Sequence, residues 1–178
     1  MVPGSATSIV AYEPRWRQGA IDVVHAVYDE YGFTWEADGY HRDLHTVPET
    51  YLETGGGFWV LILAAENGQD DSVRVIGTMA FLDRGDGVAE GERLYLLKAG
   101  RGQGDGERLL RHAIEAARAG GFRRFVGWSD KRFHEAHALY AKLGMERTGE
   151  RILDDPDESP EWGFELDLIE KPESEKPG

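Results

Sequence analysis

Apolar positions recur along the chain at two spacings, one typical of strands and the other of helices. Segments between turn signals, most of them rich in apolar residues, predict seven strands at 8–12, 58–64, 73–83, 88–98, 123–128, 145–153 and 162–169. Helical spacing predicts helices over 19–31, 34–44, the segment between Gly106 and Gly120, and 131–143. This order predicts an α/β fold: a mixed, mostly antiparallel sheet of seven strands flanked by about four helices.

Turn chemistry sets the boundaries between these elements. Gly32 ends the first helix, and Thr34 is the predicted N-cap of the second. The segment 66–68 predicts a hairpin turn, Gly77 predicts a bulge, and 154–160 predicts an acidic loop before the last strand.

The composition fits a single domain. The chain has 178 residues, and 40% of them are hydrophobic, which is enough for one core. We expect the domain to span residues 6–169 and residues 170–178 to form a disordered acidic tail. No apolar run reaches the roughly 20 residues of a membrane span, and the N-terminus lacks a signal-peptide pattern. A cytoplasmic protein without a membrane partner is therefore expected.

The net charge, the lack of cysteine and the spacing of the histidines exclude several classes of function. The net charge of −13 argues against a nucleic-acid partner and weakly favours cationic partners such as amines. The absence of cysteine excludes a disulfide scaffold, a thiolate zinc site and a cysteine acyl-enzyme. His41 and His45 have a metal-compatible spacing but no evident third ligand, so no metal is expected.

The stretch 94–121 carries the most specific pattern in the chain. The apolar run Leu94 to Leu97 is followed by a loop with glycine at positions 100, 102, 104 and 106, and then by an amphipathic helix. Glycines let a backbone approach a ligand, and the first N–H groups of a helix have no internal partner. The loop and helix start therefore predict an anion site, to which Arg101 adds a donor fork suited to phosphate.

Two phosphate-binding motifs do not fit this loop. A P-loop needs Gly-Lys-Ser/Thr at the helix start, but Gly106 is followed by Glu107-Arg108. The dinucleotide fingerprint G-x-G-x-x-G fails because its third glycine would fall on an acidic residue. The remaining pattern is R-x-x-G-x-G, formed by Arg101, Gly104 and Gly106 after an apolar strand.

This pattern resembles the acetyl-CoA motif of the GNAT N-acetyltransferase superfamily, roughly L-Y-V-x-P-x-x-R-G-x-G-x-G-x-x-L. The matching positions are Leu94, Tyr95, Leu96, Arg101, Gly102, Gly104, Gly106 and Leu109. The predicted element order is also the GNAT order, over about residues 8–169. The resemblance implies acetyl-CoA as the acyl-donor co-substrate, with a bulge near 96–98 that splays the fourth and fifth strands to admit pantetheine. It implies these cofactor-binding residues: Leu96, Leu97, Lys98, Arg101, Gly102, Gln103, Gly104, Asp105 and Gly106.

The chain departs from the family pattern beside the predicted phosphate site. Lys98 replaces the usual proline, and Asp105 replaces a usually apolar residue, with Glu107 soon after. Carboxylates beside a pyrophosphate should repel it. Lys98 or Arg108 would offset this charge, or Asp105 would cap the helix.

Acetyl transfer needs a neutral amine, although a free alkylammonium has a pKa near ~10.4 and is mostly charged at neutral pH. It also needs a proton or a hydrogen bond for the departing thiolate. The segment ALYAKLGM, residues 138–145, resembles the family's A-x-x-L-Y-x-K-x-G-F element. The resemblance implies Tyr140 as the general acid, and a core aromatic residue is its alternative role. The asparagine often found seven residues before this tyrosine is Phe133 here.

The candidate base lies on the predicted fourth strand. Glu90 and Glu92 are two residues apart, so they point to the same face. The resemblance implies that a glutamate here deprotonates the amine, and Glu90 aligns better with the family position. Solvent-facing carboxylates near a turn are the alternative. Glu30, Tyr31 and His41 are further candidates for an acceptor pocket.

We interpret the chain as an acetyl-CoA-dependent N-acetyltransferase. It would transfer the acetyl group directly, in a ternary complex, to a primary amine of a small molecule or protein, because no cysteine can carry the group. Two alternatives share the fold: a non-catalytic acyl-CoA-binding or regulatory domain, and an enzyme that transfers a longer acyl group. Phe58, Trp59 and Trp162 could form a homodimer contact, although core packing is their simpler role.

Overall fold

The computed structural model describes residues 7–64 and 73–169. These ranges contain seven strands: β1 Thr7–Ala11, β2 Gly57–Leu63, β3 Arg74–Asp83, β4 Val88–Leu96, β5 Arg124–Asp130, β6 Glu146–Ile152 and β7 Pro160–Asp167. They also contain three α-helices: α1 Arg17–Tyr31, α2 Asp105–Ala119 and α3 His134–Lys142. The turn predicted at 66–68 and the tail predicted from 170 lie outside the described residues.

All seven strands form one sheet in the order β1-β2-β3-β4-β5-β7-β6. β4 and β5 run parallel and are connected through α2, whereas the other neighbouring pairs are antiparallel. The α/β fold with a mixed, mostly antiparallel seven-stranded sheet, predicted from the sequence, is confirmed.

The helix predicted over 34–44 is wrong. That segment forms turns and a short 3-10 helix at Arg42–His45, and a π-helical turn follows at Pro48–Leu52. Thr34 caps no helix, because its amide and hydroxyl both donate to the Asp157 carboxylate at 2.7 Å. This contact with the acidic loop before β7 takes the place of the predicted capping bond.

Side chains from α1 and α2 build apolar cores on opposite faces of the sheet, since alternate strand residues belong to different cores. The α1 core contains Phe58, which is 1% exposed, and the α2 core is flanked by Trp59 and Trp162. Core packing therefore accounts for the positions of Phe58, Trp59 and Trp162.

β5 pairs with only the first part of β4. They pair from Val88 to Gly91 with Arg124 to Gly127, while β4 continues to Leu96 beside β3 alone. A bulge interrupts the β3–β4 register between Thr78 and Ala80, where Arg93 has a φ of 55°. The bulge predicted near 96–98 is therefore wrong in position, because the extra residue lies closer to the middle of β4. The bulge predicted at Gly77 is confirmed by the register shift between β2 and β3.

We expect Gly56→Ala to lower the free energy of unfolding by roughly 1–3 kcal/mol, because an added methyl group in a tightly packed site forces the surrounding backbone to move. A methyl group there would meet the backbone carbonyl oxygens of Phe81 and Tyr51, the latter at 2.9 Å. Gly149→Ala is the control, because a methyl group at Gly149 meets nothing within 4 Å. Urea unfolding measures both, and an equal effect of the two changes would contradict the packing described.

Candidate active site

A cavity of 770 Å³ passes through the gap where β4 leaves β5. Its wall draws on both faces of the sheet. Met79, Leu110 and Phe125 line it from the α2 side, and Tyr28 and Tyr51 line it from the α1 side. The splayed strands thus join two half-pockets, and two substrates can meet there.

Most of the predicted site residues lie around this cavity. Its wall includes Glu92, Leu96, Arg101, Gly102, Gly104, Gly106 and Tyr140. The structure places the remaining predicted site residues outside the wall: Glu90, Leu97, Lys98, Gln103 and Asp105. The glycine loop, one candidate base and the candidate acid therefore share one space.

The glycine loop presents an open backbone surface at the start of α2. Gly102 and Gly104 have φ values of 78° and 87°, and a Cβ at either position would meet nothing within 4 Å. No side chain in the described part of the chain caps α2, so the first backbone N–H groups of this helix are free to donate to a ligand. Together with the helix dipole, these donors fit a phosphate or pyrophosphate group.

The acidic residues at the loop are held by basic partners. Asp105 is 4% exposed, accepts from Thr7 Oγ1 at 3.0 Å and pairs with Arg108. The expected offset by Arg108 is confirmed, whereas the predicted helix cap by Asp105 is wrong because its carboxylate is bound on the β1 side. Glu107 is held by Lys142 and by Arg111, with Arg111 Nη2 at 2.9 Å. These partners offset much of the repulsion expected from the two carboxylates.

Arg101 uses its donors within the protein. Its Nη1 and Nη2 donate to the Glu30 carboxylate at 2.8 and 2.9 Å, and its Nε donates to the Leu96 carbonyl at 2.9 Å. Lys98 Nζ also lies 3.6 Å from Glu30, so Lys98 is directed to α1 rather than to Asp105. Arg101 thus anchors the glycine loop to β4 and α1, and the donors left open for an anion are backbone N–H groups.

Glu90 and Glu92 point to the same face, as predicted, and Arg84 contacts both. Arg84 Nε pairs with Glu90, and its Nη2 lies 3.6 Å from Glu92. Burial raises the pKa of Glu92 to about 7, although the positive charges of Arg93 and Arg84 oppose the shift. Its side chain is still 26% exposed at the cavity wall, so Glu92 can exchange a proton near neutral pH.

Tyr140 lies on α3 at the α2 side of the gap. Its ring packs against Phe164 with centroids 4.9 Å apart. Burial raises the pKa of its hydroxyl to about 12, while the neighbouring Ser129 side chain opposes that shift. Tyr140 is therefore both a packed aromatic residue and a protonated hydroxyl at the cavity wall.

The α1 side of the cavity has an aromatic wall that includes Tyr31. Phe133, at the position of the family's asparagine, packs against Tyr31 with centroids 4.7 Å apart. His41 does not line the cavity; it is fully buried and stacks on Trp35 at 3.9 Å. Burial lowers the pKa of His41 to about 4.

Several charged wall residues were not found from the sequence: Asp43, Arg93, Asp130, Arg151, Asp155 and Glu161. Asp43 pairs with Arg93 at 2.7 Å, and Arg151 pairs with Glu161 at 2.7 Å. Asp43 and Arg93 lie 50 positions apart and meet at the β4 bulge, whereas Arg151 faces Glu161 across the β6–β7 pair, so no local motif marks either pair.

Within residues 7–64 and 73–169 no three histidine or acidic side chains converge as a metal site would require. Among the helices of the same ranges, none has the length and apolar character needed to cross a bilayer.

Comparison with known proteins identifies the family that this fold and loop define. Residues 22–145, more than half of the chain, match the model of the Acetyltransferase (GNAT) family. The chain therefore belongs to the GNAT acetyltransferase family.

Individual relatives agree with this assignment. N-acetyltransferase 8 of Rattus norvegicus is 30% identical over 120 residues, which cover 64% of this chain and 50% of that protein. The chain thus spans about half the length of the first curated relatives it matches. The uncharacterized N-acetyltransferase YjgM of Escherichia coli K12 is 31% identical over 127 residues, which cover 70% of this chain and 72% of that protein. A GNAT acetyltransferase structure from Staphylococcus aureus superposes with a TM-score of 0.76 at 18% identity, over 92% of this chain and 100% of that one, and shows the shared fold.

Proposed function

We propose that this chain is an acetyl-CoA-dependent N-acetyltransferase that transfers an acetyl group to a primary amine by direct transfer in a ternary complex. The observation that carries the proposal is the single cavity through the β4–β5 gap. The glycine loop, Glu92 and Tyr140 all line this one cavity. Acetyl-CoA would supply an activated acetyl thioester.

The glycine loop would hold the phosphate end of the co-substrate. The backbone donors at Gly102, Gly104 and Gly106 and the start of α2 fit its pyrophosphate, and Leu96 at the end of β4 would lie beside the pantetheine chain. Arg101 would support this binding by fixing the loop to Leu96 and Glu30.

Glu92 would be the base that takes a proton from the acceptor amine. It lines the cavity, and burial raises its pKa to about 7, near the value that suits a base at neutral pH. Glu90 lies outside the cavity wall and holds Arg84, which suits a positioning role. This choice reverses the order suggested by the family alignment.

Tyr140 would donate a hydrogen bond to the departing sulfur. A full proton transfer from a phenol of pKa about 12 to a thiolate whose acid has a pKa near ~8.5 is unfavourable by itself. A hydrogen bond that strengthens as negative charge develops on sulfur avoids that cost.

We expect acetyl-CoA to bind in a calorimetric titration, whereas NAD and ATP bind far more weakly. Arg101→Ala should weaken acetyl-CoA binding about tenfold, because the glycine loop loses its anchors at Glu30 and Leu96. Arg118→Ala is the matched control, since Arg118 lies on α2 outside the cavity wall.

Amine-dependent release of CoA in the same preparation separates an enzyme from a non-catalytic acyl-CoA-binding domain. Binding without release with any amine would favour the binding domain. Competition among acyl-CoAs of increasing chain length would show whether acetyl is the preferred group.

A further inference from the structure

The two strands that border the cavity separate at a pair of glycines. Gly91 of β4 and Gly127 of β5 form the last pair of the parallel ladder, and both line the cavity. Among the described residues, a Cβ at Gly127 would meet only the Gly91 carbonyl oxygen, at 3.9 Å. The closed end of the gap, where these two glycines lie, therefore contains unfilled space in front of Gly127.

The space in front of Gly127 belongs to the α2 side of the sheet. Phe125 and Ser129 are two positions before and after Gly127 on β5, so side chains at all three positions point to one face. Phe125 packs in the α2 core, and Phe164, which pairs with Gly127 across β5 and β7, packs there as well. This is the side that also carries the glycine loop at the start of α2.

Apolar side chains form the floor of this space. A Cβ at Gly91 would lie 2.8 Å from the Phe125 ring and 3.4 Å from Met79 Cε, so these two side chains occupy the position next to Gly91. Phe125 and Met79 are 1% and 2% exposed, and both line the cavity. An alkyl chain suits such a floor, whereas a carboxylate would lose its hydration there.

The order of residues along β5 indicates which part of the co-substrate would reach this space. Beyond the closed end of the gap, β4 continues to the glycine loop, so a pantetheine arm held by that loop would enter from the open end. On β5, Ser129 lies nearer to the open end than Gly127, and its Oγ is 3.1 Å from His137 Nε2 of α3. Tyr140 follows three residues later on α3. The sulfur beside Tyr140 would thus lie toward the open end, and the acyl chain would extend toward Gly127.

Building on the proposed transfer function, we propose that Gly127 determines which acyl groups the enzyme transfers, and that its missing side chain admits unbranched acyl chains longer than acetyl, such as propionyl and butyryl. The carbonyl carbon would lie near Glu92, which directly follows Gly91, and the alkyl chain would lie over Phe125. In the transfer, the amine nitrogen loses one proton to Glu92 and forms the C–N bond, the C–S bond breaks, and the sulfur leaves as CoA after gaining one proton from solvent. The same bonds form and break for each acyl chain, and only the fit of the alkyl chain differs.

Initial rates with acetyl-, propionyl-, butyryl- and succinyl-CoA and one amine acceptor test the wild-type protein. We expect kcat/KM for propionyl-CoA to lie within about threefold of that for acetyl-CoA, because the added methylene enters unfilled apolar space. Succinyl-CoA should be at least about tenfold poorer than butyryl-CoA, since its carboxylate would be desolvated at the apolar floor. A preference for acetyl-CoA over propionyl-CoA of about tenfold or more, the usual effect of a methylene that does not fit, would overturn the acyl space. Equal use of succinyl-CoA and butyryl-CoA would overturn it as well.

Gly127→Ala is expected to lower the propionyl-to-acetyl ratio of kcat/KM by at least about tenfold, because the new methyl group takes the place of the added methylene. The φ of Gly127 lies outside the left-handed region, so alanine suits its backbone. Gly149→Ala is the matched control, since Gly149 is an exposed glycine of β6 outside the cavity wall, where an added methyl group meets nothing within 4 Å.

Thermal unfolding shows whether both variants fold, and calorimetric titration with free CoA, which carries no acyl group, shows whether the rest of the site is intact. An equal loss with acetyl-, propionyl- and butyryl-CoA in a folded Gly127→Ala variant would overturn the role of Gly127. If the variant does not fold, the wild-type donor series decides.

Other results separate this role from the proposed function. Transfer of acetyl together with rejection of the longer chains would overturn the acyl space and leave the transferase function standing. No CoA release from any acyl-CoA with any amine would overturn both.

Discussion

Tyr140→Phe is expected to lower kcat by about 100-fold or more while acetyl-CoA affinity stays within about twofold. The change removes only the hydroxyl, and the ring can keep its contact with Phe164. General acid groups and hydrogen bonds to developing charge contribute effects of this size. Steady-state kinetics and calorimetric titration of the same preparation measure the two quantities.

Tyr12→Phe is the matched control for this change. Tyr12 is a buried tyrosine outside the cavity wall, and its hydroxyl has no hydrogen-bond partner in the described part of the chain. We expect it to change kcat by less than about twofold, since it touches no part of the proposed machinery. If Tyr140→Phe and Tyr12→Phe had the same small effect, Tyr140 would be a packing residue only.

Glu92→Gln is expected to lower kcat/KM by about 100-fold or more and to change the pH profile. The base works when deprotonated, so the wild-type rate should rise with pH through about 7, the value to which burial raises the pKa of Glu92. Below that pH the rate should fall about tenfold per unit. In the variant this limb should disappear, and the rise due to the amine's own deprotonation should remain.

Two further glutamate variants show whether the acidic limb of the pH profile comes from Glu92. Glu115→Gln removes an exposed carboxylate on α2 outside the cavity wall and should leave the profile unchanged. Glu90→Gln frees Arg84 and should produce a smaller loss than Glu92→Gln, with the limb near pH 7 retained. A profile that loses its acidic limb in Glu90→Gln but keeps it in Glu92→Gln would assign the base to Glu90.

The sheet and the glycine loop could be predicted from the sequence because their signals are local. Apolar runs mark most of the strands, and the glycines between Leu97 and Glu107 lie where the chain turns from β4 into α2. The family resemblance then indicated Tyr140, which lines the cavity as expected.

The acceptor side could not be predicted because its geometry depends on contacts between distant segments. Thr34 donates to Asp157, which is 123 positions away in the chain, and the predicted helix over 34–44 does not form. Arg93 lies 50 positions from Asp43, and its positive φ has no sequence signal because such conformations usually fall on glycine. Spacing placed Glu90 and Glu92 on one face, but only the structure showed that Glu92 borders the cavity.

The measurement that tests the central claim most directly is an initial-rate matrix in which acetyl-CoA and an amine acceptor are both varied, with CoA release as the signal and the acetylated amine identified by mass. We predict amine-dependent release with intersecting double-reciprocal lines, because both substrates must occupy the cavity before transfer. Acetyl-CoA binding without any amine-dependent release would contradict the proposed transferase function, and parallel lines would contradict direct transfer.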